Sequence, residues 1–208
     1  MHNYHQPLLP GETYHLFNRA IGNEQVFKTN DNYRYFLKKY ADHLTRVCET
    51  YCYCLIPNHF HFMIRICEMD VLLNQYLLLK RKLPPGFDDL FLSDFVMEQF
   101  SNFLNGYTKA FNKMFQRRGG LFIDFTKRTL ATEDNSFSNI VHYIHSNPVH
   151  HGLCKNIEDW KFSSYNSILS ELPTKLLRKE VIEQFGSKEN FIQFHQQPID
   201  FKLPGSYD

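Results

Sequence analysis

The chain has 208 residues, enough to bury one sizeable core without disulfide or metal support and few for two independent domains. Its 23 Lys and Arg residues nearly balance 22 Asp and Glu residues, so the net charge of +1 gives no overall attraction to nucleic acid, acidic substrates or membranes. With 43% hydrophobic and 22% charged residues, the composition excludes collagen-like, low-complexity and wholly disordered classes. No run reaches the roughly 18 apolar residues of a membrane span, and the N-terminus lacks a signal-peptide pattern, so we expect a cytoplasmic protein with no membrane contact.

The strands and helices predicted for the first 125 residues follow the order strand, helix, strand, strand, helix, strand. Short apolar runs predict the strands, and apolar positions three and four residues apart predict the helices. The ranges are 14–19, 29–47, 51–56, 59–66, 93–115 and 121–125, with a further helix-like stretch over 70–83. This order is the split β-α-β pattern, so we expect an α+β fold with an antiparallel sheet and helices mainly on one face.

Helical segments are predicted to follow the sheet as a C-terminal extension. A short helix over 137–146 should stop at Asn147-Pro148, because proline disfavours the helical conformation in the residue before it. Further helical elements are expected over 160–169 and 175–185, with an irregular tail from Gln196. We therefore expect a single domain over 1–208, with a core of about 14–130 and a helical extension of about 131–208.

The five cysteines are odd in number, and none of them forms a Cys-x-x-Cys pair. This pattern signals neither a disulfide framework nor a zinc knuckle. Alternation along a strand would place Cys52 and Cys54 on one face, where they could join Cys48 in a thiolate metal site. Burial of neutral thiols in the core is the simpler interpretation, and it is the one we expect.

Two histidines, His59 and His61, flank Phe60 in a predicted strand. Because side chains alternate faces along a strand, both imidazoles point to the same side and can converge on one divalent ion. The alternative is a half-exposed strand that has polar residues at alternate positions and turns Phe60 to the core. His142 and His145 form another pair on a predicted helix, for which packing or DNA contact is favoured over a second metal.

Tyr107 lies in a predicted helix that can pack against the sheet. A tyrosine hydroxyl can attack a phosphodiester and hold one DNA end covalently if a metal or base stabilises the phenolate. From residue 107 to residue 128, six basic residues against Asp124 alone give a local net charge of +5: Lys109, Lys113, Arg117, Arg118, Lys127 and Arg128. Such a patch attracts a phosphate backbone, although a solvated helix face has the same composition.

Three ordered motifs resemble those of single-tyrosine HUH transposases, and most closely those of the REP-associated tyrosine transposase branch. Residues 57–63 (PNHFHFM) are similar to the family's metal-binding strand. Residues 107–112 (YTKAFN) and 118–122 (RGGLF) are similar to its tyrosine helix and the strand beyond. Residues 143–149 (YIHSNPV), with a later segment at 160–165, are similar to its C-terminal signature. The resemblance covers roughly residues 14–168.

The resemblance implies a ferredoxin-like HUH endonuclease core that acts on single-stranded DNA, often at the foot of an imperfect hairpin. It implies that His59 and His61 bind Mg²⁺ or Mn²⁺ and that Tyr107 is the nucleophile. A third ligand is expected about one turn past the tyrosine, but that position holds apolar Phe111, so the neighbouring Asn112 is the candidate. We expect Tyr143, in the third motif, to serve packing or a hydrogen bond.

These inferences predict a metal-dependent endonuclease and transposase that cleaves and rejoins DNA near hairpins through a 5′-phosphotyrosine intermediate, without an organic cofactor. The expected partner is single-stranded DNA with hairpin or inverted-repeat structure, and the expected oligomeric state is monomer or homodimer. One alternative is a non-catalytic hairpin-binding protein that kept the fold. Another is an ordinary metal hydrolase, which is disfavoured because the sequence offers no clear carboxylate cluster.

Overall fold

A four-stranded antiparallel sheet forms the centre of the protein, whose computed structural model describes residues 5–80, 82–132 and 136–199. The strands lie in the spatial order β2-β3-β1-β4 and comprise β1 (Thr13–Arg19), β2 (Cys48–Ile56), β3 (His59–Ile66) and β4 (Lys127–Leu130). This is the order of a split β-α-β unit. It confirms the predicted α+β fold and the predicted strands over 14–19, 51–56 and 59–66.

Seven α-helices occur within the described residues: α1 (Asn30–Leu44), α2 (Met69–Lys80), α3 (Asp89–Met114), α4 (Phe137–His150), α5 (Tyr165–Leu169), α6 (Arg178–Phe185) and α7 (Lys188–His195). Thr29 starts α1 with a capping box, in which its hydroxyl accepts from the Asn32 N–H and the Asn32 side chain accepts from the Thr29 N–H. Helix α7 was not predicted from the sequence, although Ser187 caps it. None of the helices in the described ranges is long and apolar enough to cross a lipid bilayer.

The two faces of the sheet pack against different helices. Along β3, Phe60 and Phe62 contact Phe36 of α1 in one core, which also includes α3. His61 and Met63 point to the opposite face, where α4 to α7 form a second core. The expectation of helices mainly on one face therefore holds for α1 and α3, and the C-terminal helices cover the other face.

The predicted closing strand over 121–125 is wrong. That segment bonds to the end of β1 through Ile123 N–H to the Arg19 carbonyl, and Ile21 N–H donates back to the Leu121 carbonyl. Phe125 then takes a φ of 62°, which interrupts the extended backbone that strand pairing needs. Its side chain is 71% exposed. The fourth strand starts only after this kink, as β4.

The predicted helix end at Asn147-Pro148 is also wrong, because α4 continues to His150. Proline removes one backbone donor, but the turn beyond it is held by the His151 N–H to the Asn147 carbonyl and the Leu153 N–H to the Pro148 carbonyl. Pro148 is itself buried. Asn147 therefore lies inside the helix, where its side chain is directed toward the sheet.

Only the second half of the helical element predicted over 160–169 is helical. Its first half runs along the edge strand β2, where the Leu55 N–H donates to the Phe162 carbonyl and the Ser164 N–H donates to the Tyr53 carbonyl. Trp160 Nε1 also donates to the Leu55 carbonyl at 2.9 Å. These bonds satisfy backbone groups that an uncovered edge strand would expose.

Candidate functional site

Four histidines meet at one end of the sheet face that α4 covers. His59 and His61 lie on the same side of β3, with ring centroids 5.0 Å apart, as strand alternation predicts. His15 of β1 stacks on His61 at 5.1 Å, and exposed His151, just after α4, packs edge-on against His59 at 4.9 Å. The rings of His15, His59 and His61 are each no more than 5% exposed.

The Nε2 atom of His61 is buried and has no hydrogen-bond partner within the described residues. Its Nδ1 atom lies 2.8 Å from His15 Nε2. Burial, followed by the nearby histidines, lowers the pKa of His61 well below its usual value. The ring is therefore neutral near pH 7, which is the form of imidazole that binds metal ions.

Amide oxygens face both ring nitrogens of His59. Asn58 Oδ1 lies 2.9 Å from Nδ1, and Asn147 Oδ1 lies 3.1 Å from Nε2. The Asn147 side-chain NH₂ donates to the Tyr143 carbonyl, which fixes its oxygen toward His59. A neutral imidazole carries one N–H and can donate to only one of these oxygens, so a nitrogen lone pair is left facing an oxygen.

A cation bound between these two acceptors would be attracted to both of them. His59 Nε2 and Asn147 Oδ1, which lie 3.1 Å apart, would hold such a cation. Across the described parts of the chain, no group of three His, Cys, Asp or Glu side chains is arranged to hold a metal. The donors available are one imidazole nitrogen each from His59 and His61 and the amide oxygen of Asn147. This set fits a divalent ion that keeps other coordination positions open for water or substrate.

Tyr143, for which the sequence predicts packing or a hydrogen bond, lies in this histidine site. Its ring lies edge-on to His61 with centroids 5.6 Å apart, and edge-on to His15 at 5.7 Å. Tyr143 and Asn147 are four residues apart in α4 and so share one helix face. A polar residue one turn past the tyrosine is the spacing that the family resemblance implies, and this pair has it.

Tyr107 lies on the opposite face of the sheet, so the expectation that it meets His59 and His61 is wrong. It sits in α3 within the core that includes Phe36, and its hydroxyl donates to the Val26 carbonyl at 2.6 Å. The side chain is 1% exposed, and burial raises its pKa. The physical reason is the pleat of β3, which turns the histidines away from the helices that carry Tyr107.

Asn112 is also distant in the fold from the histidines, and its assignment as third ligand is not supported by its contacts. It donates to the Gly119 carbonyl at 2.9 Å and accepts from Arg117 Nη1 at 3.0 Å. Both contacts hold the loop that follows α3. Asn112 thus stabilises a turn at the end of a helix on the other face.

The six basic residues predicted to bind DNA differ in their exposure and in their bonds to the protein. Arg117 pairs with Glu24 at 2.6 Å and donates to the Gly120 carbonyl, and Arg128 is 9% exposed and donates to the carbonyls of Gln6 and Thr126. These two guanidinium groups hold the fold together. Lys127 is half-buried, and three side chains of the set are exposed: Lys109, Lys113 and Arg118.

Comparison with known proteins places this geometry in context. No family model matches the chain. A Haemophilus influenzae protein described as a REP-associated tyrosine transposase is 27% identical over 120 residues, which are 57% of this chain and 59% of that relative, less than two thirds of its length. A solved structure of a REP-associated tyrosine transposase bound to a REP hairpin matches with a TM-score of 0.58 and 19% identity, over 84% of this chain and 90% of that one. Both of these proteins are described as REP-associated tyrosine transposases. The structural match establishes a shared fold.

The cysteines do not form the thiolate site considered above. A β-bulge between Thr50 and Cys52 shifts the alternation of β2, so Cys48 faces the core of α1 and Cys54 faces the core of α4. Burial raises the pKa of Cys48 to about 12 and that of Cys54 well above its usual value, so both thiols stay protonated. The expectation of buried neutral thiols is confirmed for these cysteines.

His142 and His145 contribute to a buried polar network with α7. His145 Nδ1 lies 2.9 Å from His195 Nε2, and His145 Nε2 lies 2.8 Å from Ser164 Oγ. His195 Nδ1 donates to the Phe191 carbonyl at 2.7 Å. The pair therefore serves packing, one of the two roles expected of it, and ties the last described helix to α4.

Acidification is expected to destabilise the protein through this network. Burial lowers the pKa of His142 to about 4 and of His195 to about 3, against 6.5 in an unfolded chain. Below about pH 6.5 the unfolded chain binds protons that the folded protein excludes, which costs up to about 1.4 kcal/mol per pH unit for each histidine. Urea unfolding at pH 7.5, 6.5 and 5.5 should give a falling free energy of unfolding, with a shallower fall in His195→Gln. A flat profile would contradict the assignment of neutral, buried histidines.

Proposed function

We propose that this protein binds hairpin-bearing single-stranded DNA and cleaves and rejoins it by metal-assisted transesterification. One observation carries the proposal: ring nitrogens of His59 and His61 and the amide oxygen of Asn147 lie with the Tyr143 ring on one sheet face. Metal ligands next to a tyrosine hydroxyl form the constellation that phosphodiester attack requires. The similar protein of known structure is bound to a REP hairpin, and this supports hairpin DNA as the substrate class.

In this proposal, Tyr143 is the nucleophile in place of Tyr107. Its phenol gives a proton to solvent and its oxygen forms a bond to phosphorus. The bond between phosphorus and the 3′-oxygen of the leaving strand breaks, and that oxygen takes up a proton from solvent. The products are a 5′-phosphotyrosine and a free 3′-hydroxyl. Because the phosphodiester energy is retained in the covalent link, another 3′-hydroxyl can reverse the step, and rejoining needs no ATP.

The metal ligands of the proposed site are His59, His61 and Asn147. When bound there, Mg²⁺ or Mn²⁺ supplies Lewis-acid polarisation of the scissile phosphate. Asn58 orients His59 by accepting from its Nδ1, and the α4 backbone orients Asn147 through the Tyr143 carbonyl. These contacts hold two of the three ligands in place before DNA arrives, which lowers the cost of assembling the site.

The non-catalytic alternative, a hairpin-binding protein without turnover, is favoured by one observation. Tyr143 is 4% exposed and His61 is 1% exposed, so a phosphate reaches them only if the covering side chains move. The experiment that separates the two functions is a search for a protein–DNA adduct that survives SDS, with Mn²⁺ and a hairpin oligonucleotide that carries single-stranded flanks. Adduct formation supports the endonuclease, and hairpin binding without an adduct supports the alternative. The oligomeric state, monomer or homodimer, stays a prediction.

Binding of the hairpin is expected to weaken steeply with salt, because Lys113 and Arg118 are exposed and free to neutralise phosphates. Each lost contact to single-stranded DNA should flatten the plot of log K against log salt by roughly 0.7. The double variant Lys113→Gln/Arg118→Gln should thus flatten it by about 1.4. Arg117→Gln is the matched control, because its guanidinium pairs with Glu24 and its loss should lower stability and leave the slope unchanged. An unchanged slope in the double variant would make this surface a solvated helix end.

A further inference from the structure

His15 is the neighbour of His61 that the proposed metal ligation leaves without a role. Its Nε2 lies 2.8 Å from Nδ1 of His61, and the side chain is 2% exposed. The two rings are nearly parallel, at 24°, and Phe17 stacks on His61 at 22°. Both strands are paired in register here, with Phe17 directly opposite His61 and His15 opposite Met63. The contact between the two imidazoles is therefore fixed by the sheet.

One hydrogen can lie between two ring nitrogens at this separation, so one imidazole donates and the other accepts. If His15 donates, then a neutral His61 must carry its own hydrogen on Nε2, a buried atom that has no acceptor. A buried ring nitrogen without a partner costs about 1–3 kcal/mol whether it is a donor or an acceptor, so this cost alone does not separate the two arrangements. If His61 donates from Nδ1, its Nε2 is instead a bare lone pair directed into the histidine site. Only the second arrangement leaves His61 a lone pair for a cation, so a metal site at Nε2 requires His61 to be the donor.

We propose that His15 is a positioning residue, which accepts the Nδ1 hydrogen of His61 and so holds His61 in the tautomer whose Nε2 can bind a divalent cation. Metal-binding histidines usually donate their other N–H to a carboxylate, a backbone carbonyl or water, and this bond fixes tautomer and ring orientation. Within the described residues, His61 Nδ1 has an imidazole in that place. This inference rests on the proposed function, because the proposed metal site decides between the two tautomers.

Two substitutions separate the acceptor of His15 from its ring. His15→Gln loses the ring but keeps an acceptor, Oε1, that can reach His61 Nδ1. His15→Phe keeps a flat ring against Phe17 and His61 but has no acceptor. Phe17→Leu is the matched control, because it removes a stacking partner of both histidines and leaves the acceptor in place.

The first measurement is the tautomer of His61 in metal-free protein, read from the ¹⁵N shifts and two-bond couplings of the imidazole. We expect hydrogen on Nδ1 in the wild type, in His15→Gln and in Phe17→Leu, and on Nε2 in His15→Phe. The second measurement is Mn²⁺ affinity by calorimetry, for which loss of such an outer partner typically costs 10–100-fold. We expect at least a tenfold loss of affinity in His15→Phe and affinities near wild type in the other two variants.

Three outcomes overturn the inference in distinguishable ways. Hydrogen on Nε2 of His61 in the wild-type protein overturns it without reference to any metal, and this reading needs no variant to fold. Equal Mn²⁺ affinity in the wild type and in folded His15→Phe overturns the positioning role but leaves the metal site standing. No Mn²⁺ binding in the wild type, despite hydrogen on Nδ1, overturns the metal site and with it the purpose assigned to His15.

Discussion

Tyr143→Phe is expected to abolish the SDS-resistant adduct between the protein and a hairpin oligonucleotide in Mn²⁺. The substitution removes one oxygen and keeps the ring, so the edge-on contacts with His15 and His61 should survive. Hairpin affinity should stay near wild type, because that affinity depends on phosphate and base contacts. The nucleophile is lost, and with it the covalent link. Gel detection of the end-labelled oligonucleotide on the protein measures the result.

Tyr107→Phe is the matched control, because it removes the same atom from a tyrosine on the opposite sheet face. Its cost is the hydrogen bond to the Val26 carbonyl, about 1 kcal/mol of stability. Adduct formation should continue at near the wild-type level. Loss of the adduct in Tyr107→Phe and its retention in Tyr143→Phe would return the nucleophile to α3. A wild-type protein that binds the hairpin but never forms an adduct would establish the non-catalytic alternative.

Much of the fold was predictable because local signals and tertiary packing agree. The Pro-Asn turn between two β-rich runs gives the β2-β3 hairpin, and Thr29 caps α1 at the expected place. The errors occur where tertiary contacts overrule local preference. Pro148 does not end α4, because backbone bonds beyond it compensate for the missing donor, and the kink at Phe125 delays the fourth strand.

The histidine pair was predictable from strand alternation alone, but its partners were not. The motif position of Tyr107 does not indicate which face of the sheet its helix covers, and that face decides whether the tyrosine meets the histidines. In a split β-α-β unit the two crossover helices pack on one face, and apolar Phe60 and Phe62 mark that face along β3. The histidines, at the alternate positions, must then meet an element that comes later in the chain, which is α4.

Two sequence signals at Tyr143 and Asn147 conflict with each other. The pair has the one-turn spacing expected of a nucleophile and a third ligand, yet the proline after Asn147 suggested a helix stop. Burial of His15 beside His61 carried no sequence signal, because it depends on the register of β1 against β3. Contacts of this kind follow from strand pairing and are visible only when the sheet is assembled.

Loss of either imidazole is expected to remove divalent-metal binding. His59→Ala or His61→Ala takes away one of two nitrogen donors, and each should lower Mn²⁺ affinity by at least about 100-fold, beyond the range typical of outer partners. Cleavage of the hairpin oligonucleotide should disappear with the metal and also in EDTA. Calorimetric titration with Mn²⁺, together with a cleavage assay, measures both effects.

Asn147 and Asn112 provide the matched comparison for the third ligand. Asn147→Asp keeps an oxygen opposite His59 Nε2 and adds a negative charge, so it should bind Mn²⁺ at least as tightly as the wild type, whereas Asn147→Leu should weaken binding. Asn112→Ala should leave affinity unchanged, because that side chain contacts Gly119 and Arg117 on the far side of the sheet. Weakened binding in Asn112→Ala with normal binding in Asn147→Leu would restore the assignment made from sequence. Undiminished cleavage in EDTA would exclude a metal-dependent mechanism altogether.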